Sequence, residues 1–157
     1  MIAKPLRLIC VGRVKTPYWK EACEVYAKRL SRFRRLEVCE VKDAEAAQDQ
    51  TRRRDIESAR LVEALQPQDR VIVLDERGKD LTSVQLAASL DKWDAQGQGR
   101  TSFVIGGPFG FTDIVRGRAS FLWRLSALTL PHELARVLLM EQLYRAESLR
   151  ANVPYHH

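Results

Sequence analysis

The segment "RVIVLDE" (residues 70–76) is the strongest constraint on the fold. Val71, Ile72, Val73 and Leu74 are apolar without a break, which leaves no polar face for solvent. A strand of this kind is buried on both faces, as in a parallel sheet covered by helices. "LRLICVG" (residues 6–12), the alternating "LEVCEVK" (residues 36–42) and "TSFVIGG" (residues 101–107) also read as strands. Helical spacing fills the intervals. In "YWKEACEVYAKRLSRF" the residues Trp19, Cys23, Tyr26, Ala27, Leu30 and Phe33 share one side, and Pro17 suits the first turn. "RRRDIESARLVEALQ" is a helix ended by Pro67, and Thr82 with Gln85 makes a capping box for a helix through Trp93. A short helix is expected over residues 112–119, and "PHELARVLLMEQLYRAESLR" (residues 131–150) is the last and longest. "RGKDL" (residues 77–81) reads as a turn; "FLWRLSALTL" (residues 121–130) reads as strand or loop. The alternation predicts an α/β fold, a mostly parallel sheet with helices on both faces, in a single domain over residues 1–157.

Composition narrows the classes. Hydrophobic residues make up 45% and charged residues 29%, values of an ordinary soluble domain and not of a disordered chain. No apolar run approaches a membrane span, and "MIAKPLRLICVG" is too short and too interrupted for a signal peptide, so a cytoplasmic location is expected. Cys10, Cys23 and Cys39 form no C-x-x-C pair and sit in apolar patterns; buried thiols are expected, with no disulfide and no metal. The net charge of +6 fits either a polyanionic partner or simple solubility.

In a parallel α/β sheet, ligands gather beyond the carboxyl ends of the strands. Three loops qualify: after Leu74-Asp75, after Ile105-Gly106, and before Pro131. Gly106 and Gly107 permit close approach of backbone to a ligand, or make an ordinary tight turn. No Lys follows them, which disfavours a nucleoside triphosphate. "LSALTLPHEL" is apolar with few side-chain donors; it suits an adenine ring read by main-chain groups, and equally a core strand feeding a helix. His132, in the first turn of the last helix, is expected to stay neutral beside the helix dipole. That helix carries Leu134, Val137, Leu138, Leu139, Met140, Leu143 and Tyr144, more than one core stripe needs, so part of it suits a second subunit. Glu141 and Arg145 are spaced to pair on the surface or to orient a nucleobase. The tail "NVPYHH" offers Tyr155 to stack on a base and His156 to bond it. Lys28, Arg29, Arg32, Arg34 and Arg35 close the first helix. Arg52, Arg53 and Arg54 open the second, where the dipole opposes them.

Together, "VLDERGKDLTS", "FVIGGPFGF", "RLSALTLPHELARVLLMEQLYRA" and "NVPYHH", in this order and spacing, resemble the small SPOUT methyltransferases that methylate a pseudouridine of 23S rRNA at ring nitrogen N3. The likeness extends to "VGRVKTPYWKEACEVYAKRL" and spans nearly the whole chain. It implies a C-terminal trefoil knot and a homodimer with each site built at the interface. It also implies S-adenosyl-L-methionine as methyl donor, with the assembled ribosome supplying the rRNA. Carried across by motif, the cofactor contacts fall on Leu74, Gly106, Leu125, Ser126, Ala127, Leu128, Thr129 and Leu130. His132, Arg136, Tyr155 and His156 match residues around the target base. Trp123-Arg124 departs from the pattern, where smaller or more polar residues are expected. The competing reading is a non-catalytic RNA-binding ribosome-assembly factor. A dinucleotide-dependent oxidoreductase is disfavoured, because no glycine fingerprint follows the first strand.

Overall fold

In the computed structural model, which describes residues 3–97 and 99–156, five strands form one sheet in the order β2-β1-β4-β3-β5, with every neighbouring pair parallel. The strands are β1 (Leu6–Val11), β2 (Leu36–Val41), β3 (Arg70–Asp80), β4 (Thr101–Val104) and β5 (Phe121–Arg124). The helices are α1 (Pro17–Leu30), α2 (Gln50–Glu63), α3 (Ser83–Ala95), α4 (Asp113–Arg116) and α5 (His132–Arg150). The expected α/β architecture, with helices on both faces, is the one observed.

Strand alternation sorts the core into two. Leu6, Leu8, Cys10, Ile72 and Phe103 face α1, α3 and α5, where Leu30, Leu86, Leu90, Leu139 and Leu143 meet them. Ile9, Val11, Val71, Val73 and Val104 face α2 and α4 and pack on Leu61 and Val115. Burial of each such side chain is worth about 1.5–3 kcal/mol. The apolar run of β3 is thus consumed by both layers at once. Burial pushes the Cys10 thiol up to about 12, which leaves it an inert core residue.

The local signals behave as their chemistry dictates. Thr82 Oγ1 accepts from Gln85 N–H at 3.1 Å while Thr82 N–H donates to Gln85 Oε1 at 2.8 Å, so the capping box of α3 is closed in both directions. Helix α2 begins two residues before Arg52, because the Asp49 carboxylate accepts from Arg52 N–H at 2.7 Å and caps it. Among the described residues no helix is long and apolar enough to cross a membrane.

Two segments differ from the sequence reading or resolve it. "RGKDL" is not a free turn: β3 continues to Asp80, and both Leu74 and Lys79 fall in register with Trp123 of β5. The chain bulges between them, with Asp75 Oδ1 accepting from Arg77 N–H at 3.0 Å. Gly78 lets the second arm close on β5, since a Cβ there would lie 2.5 Å from the carbonyl carbon of Leu122. Residues 121–124 are strand and the remainder of "FLWRLSALTL" is loop. Trp123 is 3% exposed and stacks edge-on to Phe103 at 6.1 Å, which explains a large residue at that point of the pattern.

Candidate functional site

The three segments singled out at the carboxyl ends of the strands converge on one cleft of about 1160 Å³. The bulge of β3 supplies Leu74 to Arg77, the loop after β4 supplies Ile105 to Phe111, and the segment after β5 supplies Arg124 to His132. All eight residues expected at the cofactor therefore line a single cavity: Leu74, Gly106 and Leu125 through Leu130. His132 lines it as well.

The glycine loop is held by its own packing. Gly110, at φ +77°, donates its N–H to Gly107 O at 3.0 Å and closes the turn. A Cβ on Gly106 would approach Phe111 Cδ1 to 2.7 Å, and one on Gly107 would approach Glu57 Oε1 to 2.6 Å. Both glycines are required first by the loop's contacts with its own chain, a reason that the motif alone does not disclose. The segment after β5 is irregular. Ser126 Oγ accepts from Leu128 N–H at 2.9 Å, and Leu128 is 76% exposed. Among the described residues, no main-chain group from Ser126 to Leu130 bonds to another main-chain group. Apart from the Leu128 N–H, these donors and acceptors are left to meet a ligand lying in the cleft.

Charge around the cleft is largely matched. The buried Asp75 carboxylate receives Arg116 Nε at 2.5 Å; Arg116 also pairs with Asp113 at 2.9 Å and lies over the Phe111 ring at 4.8 Å. Arg124 is bidentate on Asp80, both bonds at 2.7 Å. Sequence reading missed the Asp75–Arg116 pair. An acid directly after four apolar residues was a usable signal for Asp75, whereas nothing in the pattern marked Arg116.

His132 is partly buried, and burial is the main cause that lowers its pKa below 6.5; Arg136 adds to the effect and Glu133 opposes it. Burial, more than the helix dipole on which the expectation rests, favours the neutral ring. Its position is fixed because Glu133 ties the start of α5 to the start of α1, accepting from the Thr16 hydroxyl at 2.6 Å and from Lys15 N–H.

The other three residues matched to the target base lie elsewhere in the chain. Arg136 is 4% exposed and turned away from the cleft, donating to Glu40 Oε2 at 2.6 Å and to Gly12 O at 3.0 Å. Tyr155 and His156 sit at the far end of α5. Tyr155 packs on Tyr144 with ring centroids 4.6 Å apart. Arg145 organises this tail: its guanidinium lies 4.6 Å over the Tyr155 ring, donates to Glu141 Oε1 at 2.8 Å and meets His156 Nδ1 at 3.3 Å. Burial raises the Tyr155 pKa, so its hydroxyl stays protonated. Glu141 and Arg145 thus form the expected pair and clamp the tail as well. His157 lies outside the described residues.

Comparison with known proteins identifies the family. Residues 5–156 match the family described as "Predicted SPOUT methyltransferase". Proteins named ribosomal RNA large subunit methyltransferase H are similar over full length. That of Desulfovibrio desulfuricans is 53% identical, covering 100% of both chains. That of Solidesulfovibrio magneticus is 49% identical over 98% of this chain and 99% of the relative. That of Lawsonia intracellularis is 41% identical over 100% of each. Among solved structures, the SpoU methyltransferase AviRb of Streptomyces viridochromogenes, in complex with the cofactor AdoMet, superposes with a TM-score of 0.50 at 15% identity. The match covers 96% of this chain and 60% of that one, and it speaks to the fold alone. The chain belongs to the SPOUT methyltransferase family.

Proposed function

We propose that this single-domain protein, working in the cytoplasm as a knotted homodimer, methylates N3 of a pseudouridine in 23S rRNA on the assembled ribosome, using S-adenosyl-L-methionine. The coarser part follows from family membership and full-length similarity: the protein is an rRNA methyltransferase with that cofactor. The observation that supports the methyl-donor site is the convergence of Leu74, the Gly106 loop and Leu125–Leu130 on one cleft, whose Ser126–Leu130 wall makes no main-chain to main-chain bond; pseudouridine N3 as the target rests on the resemblance of the motifs.

The residues present suit the cofactor. The loop from Ile105 to Phe111 contains no Lys or Arg, which is compatible with a sulfonium cation, and the Ser126–Leu130 main chain can read an adenine edge. When bound, the cofactor supplies an electrophilic methyl group. The chain's task is to place the ring nitrogen in line with it, so positioning provides most of the rate. The N3 proton lies between two carbonyls and is mildly acidic. A neutral His132 at the cleft can accept it, and an arginine can stabilise the charge that develops on the ring.

Tyr155, His156 and Arg145 stand at the opposite end of α5 from His132 in the same chain. We assign their substrate role to the cleft of the partner subunit. The test is complementation. Ala127→Trp obstructs the cleft and His156→Ala disables the tail, and each homodimer should be inactive on ribosomes lacking the modification. Randomly mixed dimers should regain about a quarter of wild-type turnover, since half the dimers are mixed and each has one intact composite site. Mass mapping of the product at pseudouridine N3 checks the target. Mixed dimers no more active than the parents would refute the composite site.

A further inference from the structure

The arginine triplet near the start of α2 has no use in the reading above. Arg52 stands at the third helical position, and Arg53 and Arg54 follow at the fourth and fifth. Arg53 and Arg54 are partly buried, and the Nε atom of each is enclosed without a hydrogen-bond partner. Among the described residues neither takes part in an ion pair, whereas Arg116 and Arg124 at the same cleft are both paired with carboxylates. Arg77, across the cleft, is exposed, so its guanidinium can be hydrated.

Geometry gives the pair a direction. The Arg53 guanidinium lies 4.7 Å over the ring of Phe109, the residue that projects from the glycine loop, and Arg54 lines the cleft itself. The parallel with Arg116 over Phe111 is close, but Arg116 has two carboxylates and Arg53 has none. Stacking on Phe109 orients the guanidinium without consuming its donors, which is the arrangement that suits bidentate recognition of a phosphate.

We propose that Arg53 and Arg54 form an RNA-phosphate site on the lip of the cofactor cleft, holding the backbone beside the target nucleoside on the same chain that holds the cofactor. This rests on the rRNA-methylating reading above and adds an anchor independent of the partner's tail. These are positioning residues, so their loss raises KM and leaves kcat and cofactor affinity intact.

The test is the double variant Arg53→Gln/Arg54→Gln, with Arg53→Lys/Arg54→Lys beside it. Removing cations near a helix N-terminus does not weaken the helix, and thermal melting verifies this. Binding to a labelled single-stranded RNA oligonucleotide and to large ribosomal subunits is followed from about 50 to about 200 mM KCl. Loss of two phosphate contacts should flatten the plot of log affinity against log salt by about 1.4 to 1.8. The wild type then loses about tenfold more affinity than the Gln pair across that range. The Lys pair should restore the slope, because the counterion effect depends on charge. An unchanged slope for the Gln pair, a Lys pair that fails to restore it, or a weakened affinity for S-adenosylmethionine would each overturn the assignment. The last would mean that the arginines serve the cofactor's carboxylate. If the wild type binds the oligonucleotide through these residues but ignores ribosomal subunits, the phosphate site stands and the ribosomal reading falls. If the wild type binds neither RNA, both fall.

Discussion

Gly78→Ala is the sharpest probe of how the fold builds the cleft. Gly78 has an ordinary negative φ, so nothing in its own backbone conformation requires glycine. The constraint is space. An added Cβ would lie 2.5 Å from Leu122 C, 2.6 Å from Leu122 O and 2.6 Å from Trp123 N. All three are main-chain atoms of β5 and cannot rotate aside. Overpacking of a well-filled site costs about 1–3 kcal/mol, and a clash with backbone belongs at the upper end. For a chain of 157 residues, about 3 kcal/mol lowers Tm by roughly 6–12 °C. A second effect follows from position. Leu125 to Leu130 leave β5 one residue after Arg124, so a displaced β5 moves a wall of the cleft. Calorimetry at 15 °C below the variant's Tm should therefore show about tenfold weaker binding of S-adenosylmethionine in protein that is still folded, the loss expected when a wall shifts by a fraction of its contact distance. A Tm within 2 °C of wild type, a difference smaller than about 1 kcal/mol produces, would refute the reasoning. It would mean that the second arm of β3 is not held against β5 in solution.

Two further outcomes test individual site residues. His132 resists protonation when folded, so as pH falls below 6.5 the unfolded chain takes up a proton that the folded chain refuses. Its contribution to stability is complete above pH 6.5 and is lost as pH falls toward the lower folded value; urea melts of the wild type and His132→Gln should converge over that window, and parallel curves would count against it. Arg136→Met removes a buried donor from Gly12 O and from the solvent-exposed Glu40 carboxylate, a loss of roughly 1–3 kcal/mol that should lower Tm and yield together. Turnover abolished with Tm unchanged would instead place Arg136 on the substrate.

Much of the fold was readable because its signals are local. The unbroken apolar run at Val71–Leu74 required two covering layers, and the Thr82–Gln85 pair marked a helix start with its own hydrogen bonds. The two arms of β3 on β5 were not readable. "RGKDL" has turn composition, and only the proximity of Leu122 explains why Gly78 sits in a strand. The cleft lining was legible from strand ends and from the apolar, donor-poor "LSALTL" segment. The orientation of Arg136 was not, since α5 presents it to Glu40 and Gly12, residues 96 and 124 positions away in sequence. Motif spacing places a residue on a helix; the packing of that helix decides which way its side chain turns.

Helix α5 sets the limit on what one chain can do alone. It runs for 19 residues, about 28 Å at 1.5 Å per residue. His132 opens it at the cleft, while Tyr155 rests on Tyr144, twelve residues later, about 18 Å along the axis. No side chain spans that interval, and Arg145 pins the tail in place through Glu141, His156 and the Tyr155 ring. A nucleoside seated against His132 is therefore beyond reach of its own chain's tail unless that clamp opens and the tail crosses the length of the helix. A two-fold partner packed along α5 removes the difficulty without any such motion, because antiparallel copies of a helix bring the end of one to the start of the other. In the proposed dimer, the rigidity that keeps the tail from its own cleft would make it a preformed wall for the partner's, a use that would account for the bonds by which Arg145 orders it.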